Sequence, residues 1–264
     1  MKLLVVNPNI SHDVTELIRD EAERSAGPST ELVVGTAGYG VEYIETRFES
    51  LIAAGAVAEL IAEHRGTVDG VLVAAFGDPG LPALKELVNV PVIGITEAAL
   101  CAAALQGQRI SIIAISDRIT AWYRDCVEQF GFGQRLASIR SIKQALGSIG
   151  AVQDDFRSTL VDLARLAVAE DGADVVILAG APLAGLARSV ASDIPVPVVD
   201  GIGAGIRLAE AVIGLRSGPH RAGSFAPPPP KRRGGLSPAM DAALEAAQNS
   251  SPTTTSTRIE GVVL

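Results

Sequence analysis

The stretch DGVLVAAFGDPGLPALKELVNVPVIGITEAA at 69–99 decides the fold, because its pattern returns at 173–205 as ADVVILAGAPLAGLARSVASDIPVPVVDGIGAG. In each copy an aliphatic strand runs into a small-residue turn holding a proline, Pro79 or Pro182, and then into a short helix and a Pro-Val strand. Val71 answers to Val175, Ala75 to Gly180 and Pro91 to Pro197, so the offset hardly drifts. The opening strand Leu3-Leu4-Val5-Val6-Asn7 likewise recurs as Ile110-Ser111-Ile112-Ile113-Ala114. Self-similarity of this kind marks two related structural units. Short β-branched runs alternate with Ala/Leu/Glu-rich segments, the pattern of parallel strands buried under helices, so the class is α/β. Strands are expected at 2–6, 30–36, 70–75, 92–95, 109–115, 174–179 and 196–199.

The body divides into a first half, 1–100, and a second, 101–216, with the last helix of the body able to pack back across either. Residues 217–264 turn to Gly, Pro, Ser and Thr and read as a linker and tail. Within it Ser237-Pro238 is suited to cap and start one helix, and Lys231-Arg232-Arg233 reads as a solvated run.

Composition narrows the partners. Of 264 residues 22 are basic and 30 acidic, a net charge of −8, which is the wrong sign for a phosphate-backbone footprint and argues against nucleic acid. Two cysteines and three histidines make neither a disulfide framework nor a zinc site, and a reducing, cytoplasmic location is expected. The apolar opening stops at Asn7-Pro8-Asn9, too short for an export signal, and the apolar stretches 51–61 and 98–105 fall short of the ~20 residues of a membrane span. A soluble protein acting on a small molecule, with no membrane partner, is the expectation.

Duplication also locates a site. Ligands of parallel α/β sheets gather beyond the carboxyl ends of the strands, so two such units facing each other form a cleft lined by both strand-end turns. In the first turn Asp78 reads as the cap of the following helix, with Pro79 at its first position and free N–H groups of Phe76 and Gly77 facing the cleft. Gly180, Ala181 and Pro182 offer the second copy of that anion-attracting end. Asn7, Asn9 and Ser11 at the end of the first strand either bind substrate oxygen and nitrogen or cap the first helix. Ser116 ends the strand that repeats the first one and is a further substrate contact, whereas His12 reads as merely solvated.

The motifs NPN at 7–9, FGDPGL at 76–81, VIGITEAA at 92–99 and PVVDG at 197–201 resemble the aspartate/glutamate/hydantoin racemase superfamily, its hydantoin racemase branch in particular. The resemblance covers the chain from about Lys2 to Leu215. It implies two pseudosymmetric, flavodoxin-like α/β domains with parallel sheets, a cleft between them, a homo-oligomer, and neither pyridoxal phosphate nor a metal. It also implies that Thr96 lies at the site. Racemases of this family use two cysteines on opposite faces of the substrate, because a thiol of lowered pKa can take a proton and its opposite number can return one. By the resemblance those positions are Ala75 and Gly180 here, and neither side chain can carry a proton.

Other groups then become candidates. Ile44-Glu45 matches an Ile-Glu of the family in a stretch that follows the loop at 38–40 and is expected to close over the site. Glu45 could act as acid or base there, Tyr43 could donate to an enolate oxygen, and both could equally be surface residues. Asp78 is a third candidate, although capping explains it as well as it explains Glu97 and Asp200. Cys101 and Cys126 read as small apolar core residues. The expected function is a cofactor-independent racemase or epimerase acting at the carbon next to a carbonyl of a small carboxylate, amide or hydantoin-like ring. One-sided chemistry such as decarboxylation, elimination, isomerisation or ring opening is the alternative, followed by non-catalytic ligand binding.

Overall fold

A computed structural model describes residues 1–215, 218 and 222–249. The first sheet is built from β1 (Lys2–Asn7), β2 (Glu31–Thr36), β3 (Gly70–Val73) and β4 (Val92–Gly94), interleaved with α1 (His12–Ser25), α2 (Arg47–Glu63) and α3 (Leu81–Leu87). Helix α4 (Ile95–Ala104) leads to the second sheet, β5 (Ile110–Ala114), β6 (Leu136–Ser141), β7 (Val175–Ala179) and β8 (Val198–Asp200). Its helices are α5 (Thr120–Gln129), α6 (Val152–Asp171) and the short α7 (Leu186–Val190), and α8 (Gly201–Leu215) closes the body. The strand orders are β2-β1-β3-β4 and β6-β5-β7-β8, every pair parallel, so both sheets repeat one topology.

Buried parallel strands need apolar residues on both faces, and β3, β5 and β7 are buried at every position. Their unbroken aliphatic runs are readable for that reason. β6 is absent from the expected strands, and its sequence LASIRS shows why. It lies at a sheet edge, half-buried, and its polar residues have partners nearby: Ser138 bonds the buried Ser111 of β5 at 2.8 Å, and Arg140 pairs with Asp171 at 2.7 Å and Glu170 at 2.6 Å.

The two halves exchange helices. α4 packs chiefly on β5, β7 and β8 and also touches β4, while α8 returns to pack on β3 and β4 as well as on β7 and β8, and the two helices pack on each other. The division expected near residue 100 therefore falls inside a helix that crosses from one sheet to the other. One large apolar cluster accordingly runs through both halves, from Leu3 and Leu72 through Leu100 to Ile177 and Ile206. Cys126 is buried in this core, but Cys101 is exposed, on the face of α4 opposite Ala99 and Ala103.

The tail returns to the body. α9 (Pro238–Asn249) starts after Ser237, whose hydroxyl accepts from Met240 N at 3.1 Å, and packs on α2 and α3 with Ala243 fully buried beside Val57 and Leu87. Arg233 is not a solvated charge as expected; it pairs with Asp241 at 3.2 Å and Glu245 at 3.7 Å on the first face of this helix. The rest of the expected tail, 250–264, lies outside the described residues. No helix among the described residues is long and apolar enough to cross a membrane.

Candidate active site

The first turn leaves β3 at Ala74, whose N–H still reaches Val6 O at 2.8 Å, and then bends sharply. Gly77 and Asp78 both take positive φ, 103° and 45°, and Asp78 is alone in this among the described non-glycine residues. The bend turns the Asp78 carboxylate away from α3. Its oxygens accept from Thr96 N and Glu97 N, each at 2.9 Å, so it caps the crossing helix α4. This corrects the expected cap: α3 starts at Leu81 behind Gly80, carries Pro82 in its first turn, and leaves Pro79 outside. Gly94 is required beneath the carboxylate, since a methyl group there would stand 2.1 Å from Asp78 Cγ. Burial pushes Asp78 up to about 7, against the two amide donors that favour its anion.

The second turn solves the same problem differently. Gly180, φ 116°, opens a single 3₁₀ turn over Ala181–Leu183, in which Leu183 N donates to Gly180 O at 3.0 Å. Here the carboxylate comes from the strand end: Asp200 accepts from Ile202 N at 2.8 Å and Gly203 N at 3.0 Å, capping α8, and from Gly185 N at 2.6 Å. Burial raises its pKa as well. Gln153 holds the turn from behind, donating to Pro182 O at 3.0 Å and Ala184 O at 2.9 Å. Among the described residues the N–H groups of Ala75, Phe76, Gly180 and Ala181 donate to no protein acceptor.

Several expected contacts prove to be scaffolding. Asn7 is 0% exposed, and its amide donates to Asn9 Oδ1 (3.0 Å), Ser11 O (3.0 Å) and Thr15 Oγ1 (2.9 Å). Ser11 caps α1 through Val14 N at 3.3 Å, and Asn9 Oδ1 accepts from Ser11 N at 2.9 Å, which leaves the Asn9 Nδ2 as the uncommitted donor. Thr96 is 0% exposed and its hydroxyl accepts from Gly77 N at 2.6 Å, so it shapes the turn, and the Gly77 N–H is not the free donor that was expected. Ser116 is half-buried and accepts from Arg118 N at 3.3 Å. Glu97 pairs outward with Lys85 at 2.8 Å, and His12 is exposed at the start of α1.

The loop after β2 is tied to the first turn of the chain by Ile10 N to Val41 O at 3.1 Å. It presents Tyr43, whose hydroxyl is buried with no hydrogen-bond partner. Burial raises this phenol far above its ordinary value, and the neighbouring carboxylates of Glu45 and Glu49 add to the effect. Glu49 itself belongs to a capping box with Thr46, so Glu45, half-buried, is the carboxylate beside Tyr43 not engaged in capping.

A wall that sequence reasoning missed comes from α5 of the other half. Tyr123 stacks on Phe76 with ring centroids 4.6 Å apart, and its hydroxyl lies 3.9 Å from where a side-chain carbon at Gly180 would begin. The two turns meet at this one ring. Trp122 lies on Gly77, and Cys126 Sγ stands 3.6 Å from Gly77 O with its thiol pushed up to about 12 by burial. Tyr123, equally buried, is raised well above a free phenol. Arg47 at the start of α2 bridges to Asp125, pinning the loop of the first half to α5 of the second. The available signal was compositional: the chain's single tryptophan and one of its three tyrosines stand side by side in a sequence that is only 4% aromatic. Among the described residues no group of three or more His, Cys, Asp or Glu is placed to hold a metal ion.

Comparison with known proteins agrees with this architecture. The family model described as Asp/Glu/hydantoin racemase matches residues 3–209. A hydantoin racemase of Paenarthrobacter aurescens is 34% identical over 236 residues, 88% of this chain and 99% of that protein. Among solved structures, an allantoin racemase from Klebsiella pneumoniae superposes with a TM-score of 0.86 at 33% identity, covering 91% of this chain and 98% of its own. One from Pseudomonas fluorescens gives 0.84 at 35%, covering 89% and 100%.

Proposed function

Because the chain belongs to the Asp/Glu/hydantoin racemase family, we propose that it is a cofactor-independent isomerase inverting the carbon next to a ring carbonyl of a 5-substituted, hydantoin-type substrate. The observation that supports this reading is the pair of turns whose four amide groups, at Ala75, Phe76, Gly180 and Ala181, lack protein acceptors and meet at Tyr123. Amides held in place by a fold are suited to receive the oxygen on which enolate charge develops. The hydroxyl of Tyr43 adds a donor of the same kind, since a phenol this deeply buried stays neutral.

In this reading the Glu45 carboxylate takes the proton from the substrate carbon, and the C–H electron pair moves into the carbonyl, whose oxygen is held by the amides and Tyr43. Tyr123, next to the empty side-chain position at Gly180, returns a proton from its hydroxyl to the opposite face. The hydroxyl takes a proton from water in the same step, so the buried ring stays a neutral phenol, and Glu45 returns its proton to the hydroxide left behind. The two faces are thus served by groups of unlike basicity. Each enantiomer therefore exchanges its proton at its own rate.

The test is proton exchange in deuterated water, followed by NMR and polarimetry, with single enantiomers of 5-substituted hydantoins and of allantoin. Deuterium at the stereocentre together with loss of optical rotation is the expected result. A folded sample that exchanges none of these protons removes the proposal. A second reading rests on Ala75 and Gly180, whose side chains cannot relay protons: one-sided chemistry at the same centre, such as decarboxylation or ring opening. Its signature is consumption of substrate without formation of the deuterated opposite enantiomer.

A further inference from the structure

Away from the two turns, α1, α4, α7, β8 and α8 border an open cleft of about 430 Å³. Its buried part is acidic. Glu21 is 2% exposed, and its Oε1 accepts from Ser25 Oγ at 3.0 Å and from Arg188 Nη2 at 2.7 Å. Its Oε2 is buried and accepts no hydrogen bond; the nearest cation, Arg24 Nη1, stands 3.8 Å away. Asp200 adds a second carboxylate to the wall, with both oxygens already taken by backbone N–H groups.

The rim is basic. Arg24, Arg188 and Arg207 line it with side chains 58%, 64% and 60% exposed. Arg24 and Arg207 are otherwise engaged only by acids one turn away on their own helices, Asp20 at 3.7 Å and Glu210 at 3.3 Å, so their guanidinium forks keep N–H donors for an incoming anion.

We propose that this cleft is a second ligand site, and that its ligand is a small molecule carrying a carboxylate at one end and an N–H donor at the other, of the α-amino-acid or N-carbamoyl amino-acid type. A simple anion entering the cleft faces Glu21 and Asp200 without a group to offer them. A simple cation must pass three arginines. A molecule with both groups meets the arginine rim with its carboxylate and, by drawing the exposed Arg24 away from its place 3.8 Å from Glu21 Oε2, brings its own donor to that oxygen. The volume is within the range that ordinary small-molecule sites occupy. Asp200, in the cleft wall, also receives Gly185 N from the end of the second turn, so the two sites share a structural element. Binding in this cleft does not depend on the reaction proposed above.

Calorimetric titration of the full chain decides it, using L-glutamate and N-carbamoylglycine as probes, with glutarate, which lacks an N–H, and inorganic phosphate beside them. Both N–H-bearing probes are expected to bind one to one and at least tenfold more tightly than glutarate or phosphate. The paired substitution Arg24→Ala and Arg207→Ala, at exposed helix positions, is expected to weaken the probes at least tenfold. Glu21→Gln is expected to abolish the preference for L-glutamate over glutarate. Equal binding of phosphate reduces the cleft to an anion patch and overturns the proposal. Binding indifferent to the arginine pair places the probe elsewhere, between the two turns for instance, and overturns it too, as does no binding at millimolar concentration. Should Glu21→Gln fail to fold, the glutarate comparison and the arginine pair still distinguish these outcomes.

Discussion

The two strand-end turns descend from one sequence pattern and sit at corresponding places in sheets of the same strand order, yet they are closed by different means. The first is sealed from outside its own half: Trp122, Tyr123 and Cys126 lie on it, and its carboxylate Asp78 reaches 18 residues along the chain to cap α4. The second is closed from both halves, by Gln153 of α6 and Asp200 of β8 on its own side and by α1 of the first half, and Gly180 remains partly accessible. Topology therefore places a turn, while the residues that cover it settle how much room a ligand finds there. The shared ring of Tyr123 makes one cleft of two unlike walls.

The contrast is broken most severely by Gly77→Ala. A methyl group at Gly77 would stand 2.1 Å from Trp122 Cζ2, on a backbone already at positive φ, so overpacking and strain together should cost about 4 kcal/mol. Gly180→Ala meets nothing closer than Pro182 Cδ at 3.5 Å and should cost only the strain of its φ of 116°, about 1–3 kcal/mol. Denaturant unfolding of both variants checks the difference, and equal losses would dissolve the distinction between the two walls.

Tyr123→Phe keeps the packing on Phe76 and removes the hydroxyl beside Gly180. If the two walls serve the two faces of the substrate, turnover should fall about 10²–10³-fold with little change in melting temperature. An unaffected kcat would strip the second wall of its chemical role.

The smallest effect is a pH slope. Asp78 titrates in the folded chain near 7, above the ~4 of an exposed carboxylate, so between those values the folded state binds more protons than the unfolded one. Stability contributed by this group is present at low pH and is lost as pH rises through the window, by up to about 1.4 kcal/mol per pH unit. Asp78→Asn should flatten that slope, whereas a variant with the same slope as the parent would assign it to other groups.

The sequence disclosed what depends on continuous burial. β1, β3, β5 and β7 are aliphatic at nearly every position because both their faces are covered, and the repeat between 69–99 and 173–205 disclosed that there are two of them at each centre. β6 escaped notice because an edge strand can carry Arg140 and Ser138 when partners stand nearby. At the site, the turns could be located from local pattern, while the Tyr43–Glu45 loop is suggested only by the resemblance of Ile44-Glu45 to the family. What Asp78 caps could not, since its natural local reading is the helix next in sequence and its actual partner lies one strand further on. Nor could the approach of α5, because an aromatic pair announces burial and does not say against what.

The exchange of α4 and α8 has a consequence in time as well as space. As the chain is synthesised, β1 to β4 are complete by Gly94, but the helix that covers β3 and β4 ends only at Leu215. For more than a hundred residues of elongation the part of β3 and β4 that α8 covers stays bare, and α4, which meets β4 and β5 early, waits for β7 and β8 to complete its seat. Neither sheet therefore completes its native packing until α8 has been made, and the last contacts of both form together with it. The walls of the cleft are brought to their final spacing by that same event.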